Sequence, residues 1–371
     1  MKISYICGLC VENDAISTSI RDEILWLKGC GSNDVRLYGY MCAFDDLSFI
    51  KVNHLRDIIF DAHFQCSDLV VFHFGVYYQL FDSLAVTPKN AKRVVVFHNI
   101  TPREHVAAED HETIDRSLQQ MSNIQFADHV ICDSPTNLDV LRAAGIDTPA
   151  VVLSLAVHGA LDSPEIKPSH HDGVVRICFI GRFVRSKGPA ELLEAVKEVL
   201  ERDKSIRLQL DMIGNLTFSD SRLLSTVREI ITQMGRCYGD RGKVNLLGNA
   251  TEKIKHKILR DADLFVLPTY HEGFCVPIVE ALAGGSRVIA YENTNTPAIS
   301  GGLARLIPTG DVRGLARAMA EALHEITSPA WRGTGSDSYI DFVQKARDHV
   351  LQYRPEQVKR RFLEFLRNCM G

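Results

Sequence analysis

Long apolar runs are missing from this 371-residue chain: no stretch approaches the roughly 20 consecutive apolar residues that cross a bilayer, which argues against a membrane-spanning protein. A cationic excess is missing too. The chain sets 42 Lys and Arg against 46 Asp and Glu, for a formal net charge of −4 and a pI near 6.4, so it lacks the overall basic character of nucleic-acid binders. No Gly-x-Gly-x-x-Gly follows the first strand-like run, where Gly8 stands alone, and a dinucleotide-dependent dehydrogenase loses its signature. Asp261-Ala262-Asp263 is the single Asp-x-Asp, and no His/Asp cluster is legible around it, so divalent-metal ligands are not expected. The apolar core of an export signal is absent as well, since Met1-Lys2 leads straight into Ile3–Ile6. The expected location is the cytoplasm, and there the ten cysteines are expected to stay thiols. Cys7-Gly8-Leu9-Cys10 lacks the second pair that a metal site needs and the helix that a redox motif needs.

What is present is a steady alternation of short β-branched runs and amphipathic stretches. Lys2 to Ile6, Asp34 to Tyr40, Leu69 to Phe74, Arg93 to Phe97 and His129 to Cys132 read as strands, with helical patterns at Thr18 to Leu27 and Asn137 to Ala144. The polar, proline-bearing stretch from His158 to Gly173, with Pro164, Pro168 and His170-His171, reads as a linker. The alternation then restarts: strands at Val174 to Ile180, Arg207 to Ile213, Val244 to Leu246, Leu264 to Leu267 and Arg287 to Ala290, helices at Pro189 to Glu201, Lys253 to Asp261 and Val276 to Ala283. Such alternation predicts parallel α/β sheets, and the length allows two domains. The expected boundaries are 1–157 for an N-terminal Rossmann-like domain on the acceptor side, 158–173 for the linker and 174–340 for a C-terminal Rossmann-like donor domain. A closing helix, 341–371, would return to the first half, with a break at Arg354-Pro355. Residues 1–157 hold 12 Lys and Arg against 20 Asp and Glu, the remainder 30 against 26, so an anionic ligand suits the second half better.

The densest chemistry lies in Asp263-Leu264-Phe265-Val266-Leu267-Pro268-Thr269-Tyr270-His271-Glu272-Gly273-Phe274-Cys275-Val276-Pro277-Ile278-Val279-Glu280-Ala281-Leu282. Gly273 allows a tight turn and Pro277 suits a first helical turn; the free N–H groups of the helix that follows would face an anion such as a diphosphate. Glu272 in the turn and Glu280 about two helical turns on offer carboxylates to sugar and ribose hydroxyls. In a second element, the strand Ile177–Ile180 ends in Gly181, and Arg182 and Lys187 precede Pro189. A guanidinium fork and a mobile ammonium both suit phosphate oxygens. In the first half, His73 and His98 each stand at a strand end, and Asp133-Ser134 follows the next strand.

These residues resemble the large family four of retaining glycosyltransferases, of the two-domain type called GT-B. The likeness rests on Glu272 and Glu280 with seven residues between them, set among Pro268, Gly273, Pro277, Gly284 and Gly285, and on the Gly181-Arg182…Lys187-Gly188 arrangement. It implies two Rossmann-like domains facing each other across a cleft. It further implies a nucleoside-diphosphate sugar donor, a carbohydrate or glycolipid acceptor of the kind found in surface polysaccharide synthesis, and retention of configuration without metal or cofactor. Glu272 would meet the donor sugar, Glu280 the ribose, Arg182 and Lys187 the diphosphate. His98 would approach the sugar beside the reacting carbon. Gly181, Gly214, Leu247, Gly273, Phe274, Cys275 and Val276 would line the donor pocket, and Asp133, Ser134 and Asn13 the acceptor side.

The sequence departs from that pattern in places. Family members commonly carry a Gly-Gly pair in the first loop, and here Gly8 to Ile16 has none; Cys275 stands where glycine is frequent, and Ala298 where an acidic residue often stands. Rival readings therefore stay open: a sugar-nucleotide epimerase or hydrolase on the same plan, or a non-catalytic nucleotide-sugar-binding partner. Lys359-Arg360-Arg361 leaves open a peripheral contact with the inner face of the membrane.

Overall fold

A computed structural model describes residues 1–31, 33–159, 167, 172–332 and 337–371. Strands β1 (Lys2–Ile6), β2 (Leu9–Cys10), β3 (Asp34–Gly39), β4 (Met41–Cys42), β5 (Phe49–Lys51), β6 (Leu69–Phe74), β7 (Lys92–Phe97), β8 (His129–Cys132) and β9 (Ala150–Val152) occupy the first half. The second holds β10 (Val175–Ile180), β11 (Leu208–Ile213), β12 (Gly242–Gly248), β13 (Leu264–Leu267), β14 (Arg287–Glu292) and β15 (Ala304–Pro308). Two main sheets form, ordered β5-β3-β1-β6-β7-β8-β9 and β12-β11-β10-β13-β14-β15. Every pairing within them is parallel. The expected parallel α/β architecture is thus present twice. β6 and β13 are buried at every position, as continuous apolar strands covered on both faces must be.

Each sheet reverses its direction of growth once: after β1 the chain builds outward through β3, then starts again on the other side at β6; after β10 it builds through β11, then starts again at β13. At such a switch point the loops leaving two neighbouring parallel strands part to opposite faces, and the crevice at their carboxyl ends is where open α/β sheets hold ligands. In the second sheet these are the loops after β10 and β13, which carry Arg182 and Lys187 on one side and Glu272 on the other.

The chain divides into two compact units, Met1–Glu104 with Ala108–Ala156 and Pro355–Gly371, and His105–Ala107 with Val157–Arg354. The expected closing helix is two. Helix Ser338–Val350 stays in the second unit against helix Val276–Ala283, and only helix Pro355–Met370 joins the first. The cause is local: Arg354 is extended because a proline follows it. Much of the expected linker, including Pro164, Pro168 and His170-His171, lies outside the described residues. Lys167 within it is buried, its ammonium donating to the carbonyls of Leu259 and Ala262 and to Ser286 Oγ.

In the first unit Phe362 and Leu366 of the returning helix enter the core with Ile20, Ile24, Leu27 and Val71, and the Phe362 ring sits 6.0 Å from that of Trp26. Phe362→Ala should cost about 3–5 kcal/mol, read as a lowered urea midpoint for the first unit. An unchanged midpoint would mean that this helix adds nothing to that core. Of the triplet Lys359-Arg360-Arg361, Arg361 donates to Ser154 Oγ and Arg360 to Gln357 Oε1. No helix among the described residues is long and apolar enough to cross a membrane.

Candidate active site

The second unit builds its site from strand ends. Gly181 closes β10 by donating to Ile213 O, and Gly214 closes β11 by donating to Gly248 O. A Cβ on Gly214 would overlap the carbonyl oxygen of Gly181, so only glycine lets these two loops lie flush. Leu247, 40% exposed in β12, flanks them. Beyond Gly181 the chain makes one turn, Arg185–Lys187, and Gly188, with φ of 61°, opens helix Pro189–Arg202.

Across the switch point, the β13 loop is stitched to this turn. Tyr270 N–H and Thr269 Oγ1 both donate to Ser186 O, at 2.8 and 3.1 Å. Glu191 on helix Pro189–Arg202 accepts from Tyr270 and Tyr291, at 2.5 and 2.7 Å. Burial, then the Glu191 hydrogen bond, pushes the Tyr270 phenol up to about 12, so it remains a donor. The outcome of this framing is one short contact: Lys187 Nζ lies 2.6 Å from Glu272 Oε1, with side chains 19% and 8% exposed. Glu272 N–H donates to Thr294 Oγ1. Arg182 is exposed and has no polar partner among the described residues. Its guanidinium is thus unspent.

Gly273, Phe274 and Cys275 lead into helix Val276–Ala283. Phe274 is buried edge-on against Tyr353, and its carbonyl accepts from Asn295 Nδ2. Cys275 has φ of 85°, a left-handed conformation that costs a side-chain-bearing residue about 1–2 kcal/mol and glycine nothing. This explains physically why glycine suits the position. The Cys275 thiol is buried, and that burial raises its pKa far above the ordinary range.

Glu280 faces Lys255 of helix Glu252–Asp261, which contacts Glu280 Oε1 at 2.8 Å and Glu252 Oε2 at 2.9 Å. Burial opposes charge on Lys255, yet the two carboxylates outweigh it and raise its pKa; burial also raises that of Glu280, with Lys255 offsetting part. No cluster of metal-ligand type is legible in the sequence, whereas the fold brings ligand atoms of Glu252, His256 and Glu280 within 4.8 Å of one another. The Lys255 ammonium supplies positive charge to that cluster. Lys255→Met should destabilise the protein by about 3–5 kcal/mol by leaving the buried Glu280 carboxylate alone. The Lys255→Met, Glu280→Leu pair should recover most of it in denaturant unfolding, and equal loss in both would refute the coupling.

Sequence reasoning missed Lys255, whose signal was only its place one turn after Glu252. It also missed Glu191, Tyr270 and Tyr291, which nothing in the chain order links.

In the first unit His98 and Asp133 meet, with Nδ1 to Oδ2 at 2.6 Å, and His98 Nε2 lies 2.9 Å from His73 Nδ1. The two strand-end histidines are therefore bonded to each other. Asp133 Oδ1 is buried without a partner. Ser134 spends its hydroxyl capping helix Pro135–Ala143 through Asn137 N–H. Asn13, exposed with φ of 59°, forms the turn before Asp14, which caps helix Ala15–Lys28. All ten cysteines are free, with Cys7 and Cys10 in the core of the first unit.

Comparison with known proteins agrees with this layout. Residues 174–325 match the family model described as Glycosyl transferases group 1. D-inositol 3-phosphate glycosyltransferase of Corynebacterium jeikeium is 31% identical over 137 residues, which are 36% of this chain and 31% of that protein. The chain therefore matches about a third of that relative's length. In fold, a glycosyltransferase from Rickettsia africae superimposes with a TM-score of 0.76 at 16% identity, covering 100% of this chain and 98% of the other. HepE of Anabaena, crystallised with UDP, gives 0.75 at 16% identity, covering 99% and 100%. These likenesses fix the fold as that of GT-B glycosyltransferases.

Proposed function

We propose that the chain is a retaining glycosyltransferase that moves a sugar from a nucleoside-diphosphate donor to a hydroxyl acceptor. The observation that carries this reading is the Lys187–Glu272 contact across the switch point of the second sheet. A cation for phosphate and a carboxylate for sugar hydroxyls stand side by side where a sugar joins its diphosphate. Lys187 keeps two further N–H donors for phosphate oxygens while it holds Glu272. Arg182 adds a free guanidinium, and the start of helix Val276–Ala283 adds the positive end of its dipole. Glu280, on the same helix, takes the ribose.

In the reaction, the bond from the anomeric carbon to the diphosphate oxygen breaks while that carbon forms its new bond to the acceptor oxygen on the same face. The acceptor's proton passes to the departing diphosphate. Lys187 and Arg182 neutralise the charge that develops there, a form of transition-state stabilisation that exceeds what they give the ground state. No metal is required for that neutralisation. The first unit supplies the acceptor side through Asp133 and Asn13, and His98 is its catalytic candidate. A surface polysaccharide or glycolipid precursor is the acceptor class and the cytoplasm the place of action.

A panel of UDP-, GDP- and ADP-sugars tests this. One donor should raise the melting temperature by linkage. With a carbohydrate acceptor and a chelator present, that donor should give nucleoside diphosphate and a product of unchanged anomeric configuration by NMR. Inversion, water as the only acceptor, or an epimerised donor would overturn the proposal; binding without turnover on any acceptor would point to a non-catalytic binder.

A further inference from the structure

The first unit holds a chain of four buried ionisable side chains drawn from a helix and three adjacent strands. Glu23 on helix Ala15–Lys28 lies 3.2 Å from His73 Nε2, His73 Nδ1 lies 2.9 Å from His98 Nε2, and His98 Nδ1 lies 2.6 Å from Asp133 Oδ2. Their side chains are between 1% and 7% exposed. The imidazoles are stacked, with centroids 5.1 Å apart and planes at 20°. His73, His98 and Asp133 stand at the carboxyl ends of β6, β7 and β8, the edge at which parallel sheets bind ligands.

A hydrogen count decides the state of this chain. Three contacts each need one hydrogen. Two neutral imidazoles bring one N–H each, and ionised carboxylates bring none. Whichever tautomers are chosen, one contact would set two lone pairs face to face, and an unmade contact in so buried a place is costly. One added proton completes all three. Tyr5 and Ser19 donate to the two oxygens of Glu23, at 3.2 and 3.0 Å, so both oxygens serve as acceptors.

We propose that Glu23, His73, His98 and Asp133 form one charge-holding unit that carries this surplus proton as an imidazolium, making Glu23 and His73 positioning residues for His98. Both ring nitrogens of His98 are spent within the unit, so it acts as a fixed buried cation in place of a free hydrogen-bond donor to substrate. The groups facing it are Asp133, His73, Glu23 and, at longer range, Asp14. Burial opposes charge on His98, and Asp133 foremost outweighs it, raising its pKa. The resulting stabilisation is complete below the unfolded imidazole value of about 6.5 and is lost as pH rises through the folded value. The catalytic use of that cation rests on the proposed transfer reaction; the proton itself does not.

The test is histidine-selective 15N NMR of the full chain at about pH 8, above the ordinary imidazole range. Wild type should show one ring of the pair with both nitrogens protonated. Glu23→Gln should abolish that signal, because the introduced side-chain amide supplies the missing hydrogen to neutral rings. Asp133→Asn should do the same from the other end. Neutral rings in wild type, or an imidazolium that survives in both variants, overturns the proposal. Where transfer is measurable, Glu23→Gln should lose about tenfold or more in kcat/KM near pH 8 and recover toward about pH 6. A loss of equal size at both pH values overturns the positioning role. Donor-induced thermal shifts should be unchanged in Glu23→Gln, so failure of the charge unit and failure of the donor site are read separately.

Discussion

Lys187→Ala is expected to lower kcat/KM for sugar transfer by at least about a hundredfold, the scale of losing one preorganised group that stabilises transition-state charge. Two losses combine in this variant. The diphosphate loses its nearest cation, and Glu272, with 8% of its side chain exposed, loses the ammonium held 2.6 Å away. The second loss should cost about 3–5 kcal/mol of stability, so activity alone does not separate them. Lys187→Met with Glu272→Leu does: an apolar pair of similar volume should restore the urea midpoint and leave turnover abolished. Turnover near wild type in Lys187→Ala, measured as nucleoside diphosphate released, would remove Lys187 from the reaction.

Gly188→Ala should be nearly as damaging without touching a charge. Gly188 has φ of 61°, and a Cβ there would overlap the carbonyl oxygen of Pro268. The left-handed backbone costs about 1–2 kcal/mol with a side chain, and forcing the contact apart about 1–3 kcal/mol more. The displaced atom is backbone at the start of the Glu272 loop. The chain next to Lys187 would therefore be driven away from that loop, and donor affinity should fall at least about tenfold while the sheets persist. Gly235→Ala is the matched control: in helix Ser221–Tyr238 its Cβ would meet nothing within 4 Å, and it should stabilise by about 0.5–1 kcal/mol. Donor affinity equal in both variants would show that the two loops need not lie flush.

Much of the fold was legible because buried parallel strands are continuous apolar runs. Leu69–Phe74 and Leu264–Leu267 match the structure residue for residue. Helix Val276–Ala283 was equally clear, bounded by Cys275 and Gly284. Of the edge strands, Gly242–Gly248 was legible in part, at Val244 to Leu246, and Phe49–Lys51, Ala150–Val152 and Ala304–Pro308 were not. Phe49–Lys51 and Ala150–Val152 are short and only partly buried, so they carry too few residues to show a period. The division of the tail was half legible: Pro355 announced the break, but which side each helix joins depends on contacts such as that of Phe362 with Trp26.

For the candidate site, the spacing of Glu272 and Glu280 and the cations after Gly181 were visible as local pattern. Their partners were not. Lys255 reaches Glu280 across 25 positions and His73 reaches Glu23 across 50, distances over which no periodicity connects residues. Along the chain His73 and His98 look like alternatives because each ends a strand; only the pairing of β6 with β7 sets them side by side.

The most direct measurement is a crystal structure of the chain with its preferred nucleotide sugar. The account predicts the diphosphate between Arg182, Lys187 and the first turn of helix Val276–Ala283, with a sugar hydroxyl on Glu272 and the ribose on Glu280. A diphosphate bound elsewhere, with the Lys187–Glu272 pair untouched by the donor, would contradict it.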